Sequence, residues 1–329
     1  MIVDDKAVNV LENYDLKVLR TWKGRGAILF ETNSGTKILK EYTGPREKVL
    51  LQDILIHHIK KEGFPYVDAF EKNKDGDILT IDTDKKVYIV KEYLDGKECN
   101  IWETDECRQA VTHLARLHLA MQMNTEKECI LLPIAQLARE YEKHNKELKR
   151  IKNFIRGKGQ KTDFEVYLLQ HYDFFYEQAL AAYQEIVQVD WDPLYQGVRK
   201  TGSLCHGDYQ YHNILISSIG VSVINFEKYV LDCQIRDLYL FMRKILEKNS
   251  WSEALGEELL AAYEEIKPIS ELEKKQLYFR LLYPEKFWKI VNFYYNSGKS
   301  WMPMRHMDKL QKLIMQEGAK EQFLKSFLF

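Results

Sequence analysis

Leu204-Cys-His206-Gly-Asp208-Tyr-Gln-Tyr-His-Asn213-Ile-Leu-Ile216, continued by Val221-Ser-Val-Ile-Asn225-Phe-Glu227, is the stretch that decides the fold. Apolar runs flank Ser217-Ser-Ile-Gly220, which predicts a β-hairpin over residues 214–224 with the glycine in its turn. This β island, residues 204–227, stands alone in a helical neighbourhood. Before it, residues 163–187 form a long helical stretch rich in Phe and Tyr. After it, helical composition resumes to the C-terminus.

Further towards the N-terminus the pattern changes. Thr104 is a plausible N-cap for a helix over 105–121, where Val111, Leu114, Ala115, His118 and Leu119 recur at helical spacing. Ahead of it, residues 18–22, 27–32 and 36–42 read as strands, broken by Lys23-Gly-Arg-Gly26 and Asn33-Ser-Gly35. Pro45 then opens a helix over 46–62, which Gly63 and Pro65 end. Residues 77–82 and 86–92 form a second strand pair among Asp-Gly and Asp-Thr-Asp turns. The order predicts an α+β, bilobal chain: a small antiparallel-sheet lobe over 1–96 and a larger helical lobe over 97–329, which contains the hairpin. A cleft between two lobes is a common place for a ligand.

Composition narrows the classes. The 329 residues carry 48 Lys+Arg against 49 Asp+Glu, a net charge of −1, and this balance argues against a dedicated nucleic-acid binder. No apolar run approaches the ~20 residues that a membrane span needs. The first residues, Met1-Ile-Val-Asp-Asp5, lack a basic segment and an apolar core, so no secretory signal and a cytoplasmic synthesis are expected. Cys99, Cys107, Cys129, Cys205 and Cys233 are scattered without a CxxC pair. They are expected as small buried apolar residues in a reducing compartment, neither a disulfide framework nor a zinc site.

The chemistry lies in the spacing of His206, Asp208 and Asn213, which fits the phosphotransferase catalytic loop H-x-D-x-x-x-x-N. A carboxylate there can reach an incoming hydroxyl. An amide oxygen one turn of loop later can reach a metal held on phosphates, and the hairpin returns a second ligand beside it. The His-Gly-Asp form, the hairpin and the later Arg236-Asp237-Leu238 resemble aminoglycoside phosphotransferases and choline kinases, which have a protein kinase-like fold. That resemblance implies ATP and Mg²⁺ as cofactors and a small hydroxyl-bearing acceptor. It further implies that His206 braces the loop, Asp208 orients or deprotonates the acceptor, Asn213 ligates Mg²⁺ and Asp237 anchors the loop.

The N-terminal lobe supplies the remaining expected residues. Gly24 and Gly26 occupy the place of the loop over the phosphates, although a plain hairpin turn explains them equally well. Lys40 is expected on the α/β-phosphates, with Lys37 on the other strand face. The carboxylate partner of Lys40 is expected from the following helix, with Glu47 as candidate and Asp53 as alternative. Glu92 and Tyr93 lie in the segment joining the lobes, whose backbone would bond adenine. The departure is Asn225, at the position of the aspartate that holds the phosphate-bridging metal. An amide removes one negative charge beside a hard cation, so catalysis is expected to be weak or absent. Glu227, two residues on, is a further metal-ligand candidate on the same strand face.

A narrower resemblance rests on several segments together: residues 21–27, 88–93, 96–100, 144–150, 205–213, 237–244 and 282–288. The set is similar to CotS-type spore coat proteins of spore-forming Firmicutes, particularly the clostridial kind. It implies association with the spore coat and with other coat proteins. Two readings follow: a coat protein with a degenerate kinase fold, a pseudokinase that keeps a nucleotide-sized pocket, or an active ATP-dependent phosphotransferase. A third, with the cleft filled by Trp22 or Tyr93, stays open. Other features have plainer readings. The basic run from Lys143 to Lys161 reads first as a solvated helix face, and only second as a patch for polyanions. Phe287, Trp288, Phe293, Tyr294, Tyr295 and Trp301 read first as core and second as an acceptor-pocket lining. His118 reads as structural.

Overall fold

The computed structural model describes residues 8–24, 26–123, 133–296 and 303–326; Cys129 and Trp301 lie outside them. Alternating side chains build the first sheet. Strands β1 (Val18–Lys23), β2 (Ile28–Thr32) and β3 (Gly35–Glu41) run antiparallel, with Phe30 opposite Lys37. β3 then pairs with β6 (Val87–Glu92), which also carries the short β4 (Phe70–Glu71) and β5 (Thr80–Ile81). The strand expected over 77–82 shrinks to two residues for a local reason. Asn73 Oδ1 accepts the N–H groups of Asp75 and Asp77, and Asp77 Oδ1 accepts that of Leu79, so side chains take backbone bonds that a ladder would use.

The two faces of this sheet differ. Phe30, Leu39, Tyr88 and Val90 pack on one face against Val10, Leu11 and Tyr14. On the other, Ile89 meets Val49 of the helix Arg46–Lys61. Lys40 lies opposite Ile89 in the ladder and Ile38 lies opposite Lys91, so Lys40 and Lys91 share that second face.

The remainder is helical around two cores. Leu114, Leu117, Ile214, Val223, Phe226, Leu238 and Phe241 form the first, which also takes in Leu55, Ile56 and Ile59 from the helix Arg46–Lys61. Tyr172, Phe175, Phe287 and Tyr294 belong to the second, so most of the C-terminal aromatics are core, while Phe293 stays half exposed. A capping box joins Thr162 and Glu165 at the start of the helix Asp163–Ile186. Strand β7 (Lys97–Glu98) pairs with β9 (Ile214–Ser217), and β9 pairs with β10 (Gly220–Val223) in the expected hairpin; β8 (Leu204–Cys205) pairs with β11 (Val230–Leu231). Cys99, Cys107, Cys205 and Cys233 are buried free thiols.

The basic run also has its plain explanation. On the helix Leu137–Gly157 and just beyond it, Lys146 pairs with Glu142 at 2.6 Å, Lys158 with Glu165 at 2.7 Å, and Lys152 with Asp173. With Lys143 beside Glu147, half of the run's eight cations are paired.

Candidate active site

The loop after β8 is held by one buried carboxylate. Asp237, in the first turn of the helix Ile235–Leu246, accepts the backbone N–H of His206 at 2.6 Å and of Gly207 at 2.9 Å. His118 Nε2 lies 3.3 Å from the same carboxylate, and the other His118 nitrogen lies 2.7 Å from the Tyr263 hydroxyl. Burial works against the charge of Asp237, yet the His118 bond and the surrounding donors hold its pKa below the usual carboxylate value. Gly207 is required by space as well as by backbone. Its φ is +78°, and an added Cβ would stand 2.0 Å from the Lys228 carbonyl oxygen.

His206 braces the loop from within. Its Nε2 donates to the Ile224 carbonyl at 3.0 Å, so Nδ1 is the acceptor for the Asp208 N–H at 3.2 Å. Burial lowers its pKa, which keeps the ring neutral. Asp208 is partly exposed, and both of its oxygens are engaged: Gln210 Nε2 donates to one at 3.0 Å and Lys228 Nζ to the other at 2.9 Å. Beside it lies a pocket of about 290 Å³ lined by Tyr141, His144, Asp208, Lys228, Tyr239 and Arg280, among others. The hydroxyls of Tyr141 and Tyr239 and two nitrogens of Arg280 are buried there without a hydrogen-bond partner.

The metal ligands implied by the resemblance are arranged otherwise. Asn213 is buried and donates its amide to the Asp208 carbonyl at 2.8 Å, which turns its Oδ1 towards Asn225. The Asn225 amide donates to that oxygen at 2.9 Å. Asn225 has φ 66° and ψ 58°, a left-handed conformation that Asn tolerates better than most residues. The Asn213 oxygen is thus occupied by an N–H group. Among the described residues no group of three or more His, Cys, Asp or Glu side chains is placed to hold a metal ion. Asn213 Oδ1 and Glu227 Oε1 each already have a partner within the chain.

Glu227 has a different role from the one expected. Its Oε1 lies 3.1 Å from Lys40 Nζ and 3.3 Å from Lys91 Nζ. Lys91 is almost fully buried, with Asp68 Oδ2 at 2.9 Å and the Phe70 ring below its ammonium. Burial would raise the pKa of Glu227, but the two ammonium groups hold it at about 2. Burial likewise works to lower the pKa of Lys91, and Asp68 with Glu227 overcomes it, so Lys91 stays charged. Asp68 also accepts the backbone N–H of Asn225 at 3.0 Å.

Several expectations for the N-terminal part need correction. The partner of Lys40 is Glu227 and not Glu47, which is exposed at the first turn of its helix, nor Asp53, which pairs with His57. The loop bends back on Lys40 and leaves the helix carboxylates no share in it. Lys37 lies on the opposite face from Lys40, as the strand alternation predicts, and pairs with Glu71 at 2.7 Å. The N–H of Glu92 is taken by Ala69 and that of Tyr93 by Thr36, so neither is a free donor for adenine. The Glu92 side chain pairs with Lys60 at 2.9 Å. Gly24 and Gly26 sit in a tight connection between β1 and β2, where Gly24 N–H donates to Ala27 and Gly26 has φ +71°. Neither Trp22 nor Tyr93 is buried. Lys91 and Asp68 went unnoticed in the sequence, where only a lysine inside the apolar run Val87–Glu92 gave a signal.

Comparison with known proteins agrees with this fold. Solved structures share the fold: an aminoglycoside phosphotransferase from Alicyclobacillus acidocaldarius superposes with a TM-score of 0.82 at 18% identity, over 99% of this chain and 96% of that one. A spectinomycin phosphotransferase in complex with ADP and spectinomycin gives 0.67 at 13% identity, over 99% and 98%. At these identities the likeness speaks for the kinase-like fold alone. In sequence, spore coat protein S of Bacillus subtilis is 22% identical over 92% of this chain and 86% of its own length. The endospore coat-associated protein YutH of the same organism is 27% identical over 49% of this chain and 46% of its own length. The family model described as "Spore coat putative kinase YutH" matches residues 7–327, and the chain belongs to that spore coat family.

Proposed function

We propose that this chain works as a spore coat component whose kinase-derived cleft takes a nucleotide without effective phosphotransfer. The observation that carries this reading is the Lys40–Glu227–Lys91 cluster beside an Asn213–Asn225 amide pair. The carboxylate best placed to attract a divalent ion is already neutralised by two fixed ammonium groups. The other ligand position offers an N–H. In this reading Lys91, buried between Asp68 and Glu227, holds that carboxylate in place, and Lys40 with the loop at Gly24 and Gly26 meets the phosphates. The lobes divide at residue 96, the nucleotide lies between them, and the other partners are coat proteins.

A second reading, phosphotransfer from ATP to a small hydroxyl compound, is favoured by Asp208. It is partly exposed, its loop is anchored by Asp237, and it opens on the polar pocket beside Tyr141 and Arg280. In that reading Asp208 orients the hydroxyl and accepts its proton after release from Lys228.

The melting temperature of the purified chain with ATP plus Mg²⁺, ATP plus chelator, and neither separates them. A ligand of the folded state at 100 times its Kd adds about 2.7 kcal/mol. The first reading expects a rise that is the same with and without Mg²⁺. A rise only with Mg²⁺, together with turnover that Asp208→Ala abolishes, refutes it in favour of the second. No rise at millimolar ATP refutes both as nucleotide readings.

A further inference from the structure

A second concavity adjoins the pocket beside Asp208, with which it shares Trp288 and Lys289, and extends between the helices Ile235–Leu246, Glu285–Asn296 and Pro303–Ser326. It is a groove of about 980 Å³, near the upper end of the size range of ligand sites. Its lining is strongly basic: Arg243, Lys244, Lys248, Lys286, Lys309 and Lys312, with Lys289 at one side. Glu247 is its only carboxylate, and it already pairs with both Arg243 and Lys286. Lys289 pairs with Glu285. Lys244, Lys248, Lys309 and Lys312 make no ion pair with any described residue.

Like charges gathered without counter-ions repel one another. Burial first, and then Arg243, Lys286 and Lys248, push the pKa of Lys244 below the ordinary lysine value. Burial with Arg305 and Lys286 does the same to Lys309. Three of the lining residues also carry a buried polar atom with no hydrogen-bond partner, His306 Nδ1, Arg243 Nε and Gln316 Oε1, and His306 is only 3% exposed. Two large aromatic side chains, Trp102 at 61% and Phe293 at 51% exposure, stand at the same groove.

We propose that this groove binds an acidic polypeptide segment, with carboxylates on its lysines and an apolar side chain on Trp102 or Phe293. The cations are distributed over three helices and do not converge on one point, which suits an extended anion better than a single small one. The exposed aromatics favour a peptide with apolar residues among its acids. The overall charge of −1 supplies no general attraction for nucleic acid. The proposal rests on the groove alone and stands whether or not the cleft at Asp208 takes a nucleotide.

The test is fluorescence anisotropy of a labelled oligoglutamate peptide containing one phenylalanine, titrated with the full chain at low and physiological salt. A single-stranded oligonucleotide and inorganic polyphosphate run in parallel. Saturable, salt-sensitive binding of the peptide is expected. It should weaken about tenfold or more, or about 1.4 kcal/mol, in Lys309→Glu/Lys312→Glu, two exposed positions whose reversal leaves the fold intact. Lys143→Glu, on the helix Leu137–Gly157, should leave binding unchanged. No saturable peptide binding, equal binding by the groove variant, or tighter binding of the oligonucleotide or polyphosphate would each overturn the proposal.

Discussion

Replacing Lys91 by Met tests the reading of the cleft most directly. The substitution keeps the length of the side chain and removes a charge that is almost fully buried. It leaves Asp68, itself 4% exposed in its side chain, without its ammonium partner, and deprives Glu227 of one of two. Breaking a buried ion pair by removing one partner costs about 3–5 kcal/mol, and Lys40, which keeps its contact with Glu227, places this case towards the lower end. The cost should depend on pH in a definite direction. Glu227 has its folded-state pKa depressed from 4.5 to about 2, so its contribution is fully present above about pH 4.5 and is lost as pH falls towards 2. On the linkage relation that contribution is about 3 kcal/mol. Urea unfolding followed by circular dichroism, at pH 7 and at about pH 3.5, reads both quantities. Lys91→Met should lose about 3 kcal/mol at pH 7 and less at the lower pH: there the unfolded chain already takes up a proton at Glu227, so the wild type has lost part of this contribution, and the variant, whose Glu227 pKa is less depressed, has less of it to lose. A loss below about 1 kcal/mol at pH 7, or the same loss at both pH values, would refute the argument.

Other substitutions probe the remaining parts. Asn225→Asp should convert a metal-independent thermal shift by ATP into a Mg²⁺-dependent one, and an unchanged shift would mean that this position does not exclude the metal. Gly207→Ala should cost about 1–3 kcal/mol from its left-handed backbone alone, and more from the clash with the Lys228 carbonyl, as read by urea unfolding. Glu47→Gln should change stability by no more than about 0.5 kcal/mol and leave any nucleotide-induced shift intact, since its side chain is exposed and does not reach Lys40.

The sequence carried the fold further than the site. The hairpin at residues 214–224 was legible because its strands alternate around a Gly-containing turn, and the loop before it because Gly207 and Asp208 have fixed spacing from His206 and Asn213. The helix Arg46–Lys61 was legible from Pro45 and Gly63. The partner of Lys40 was not legible, because the pair Lys40–Glu227 joins residues 187 positions apart and depends on how the loop turns back under the sheet. Lys91 was hidden for a related reason. A lysine within an apolar strand is normally discounted, and its burial becomes intelligible only once Asp68 and Glu227 are seen to face it. The basic groove escaped notice because its cations come from three separate helices, whereas the conspicuous run at Lys143–Lys161 is locally paired.

The seams between the two halves of the chain have one more consequence. Val67 bridges to Val223, and the Val223 N–H bonds to the Tyr66 carbonyl. The helix Arg46–Lys61 buries Leu55, Ile56 and Ile59 in the core of the larger half. The first half keeps a small core of its own against Val10, Leu11 and Tyr14, but this face of the helix finds its partners in the larger half, so separating the two near residue 96 would expose that shared interior to water. Cooperativity follows: heat should dissolve both halves in one transition, and amide exchange in the strands of the first sheet should report the same opening free energy as the hairpin of the second.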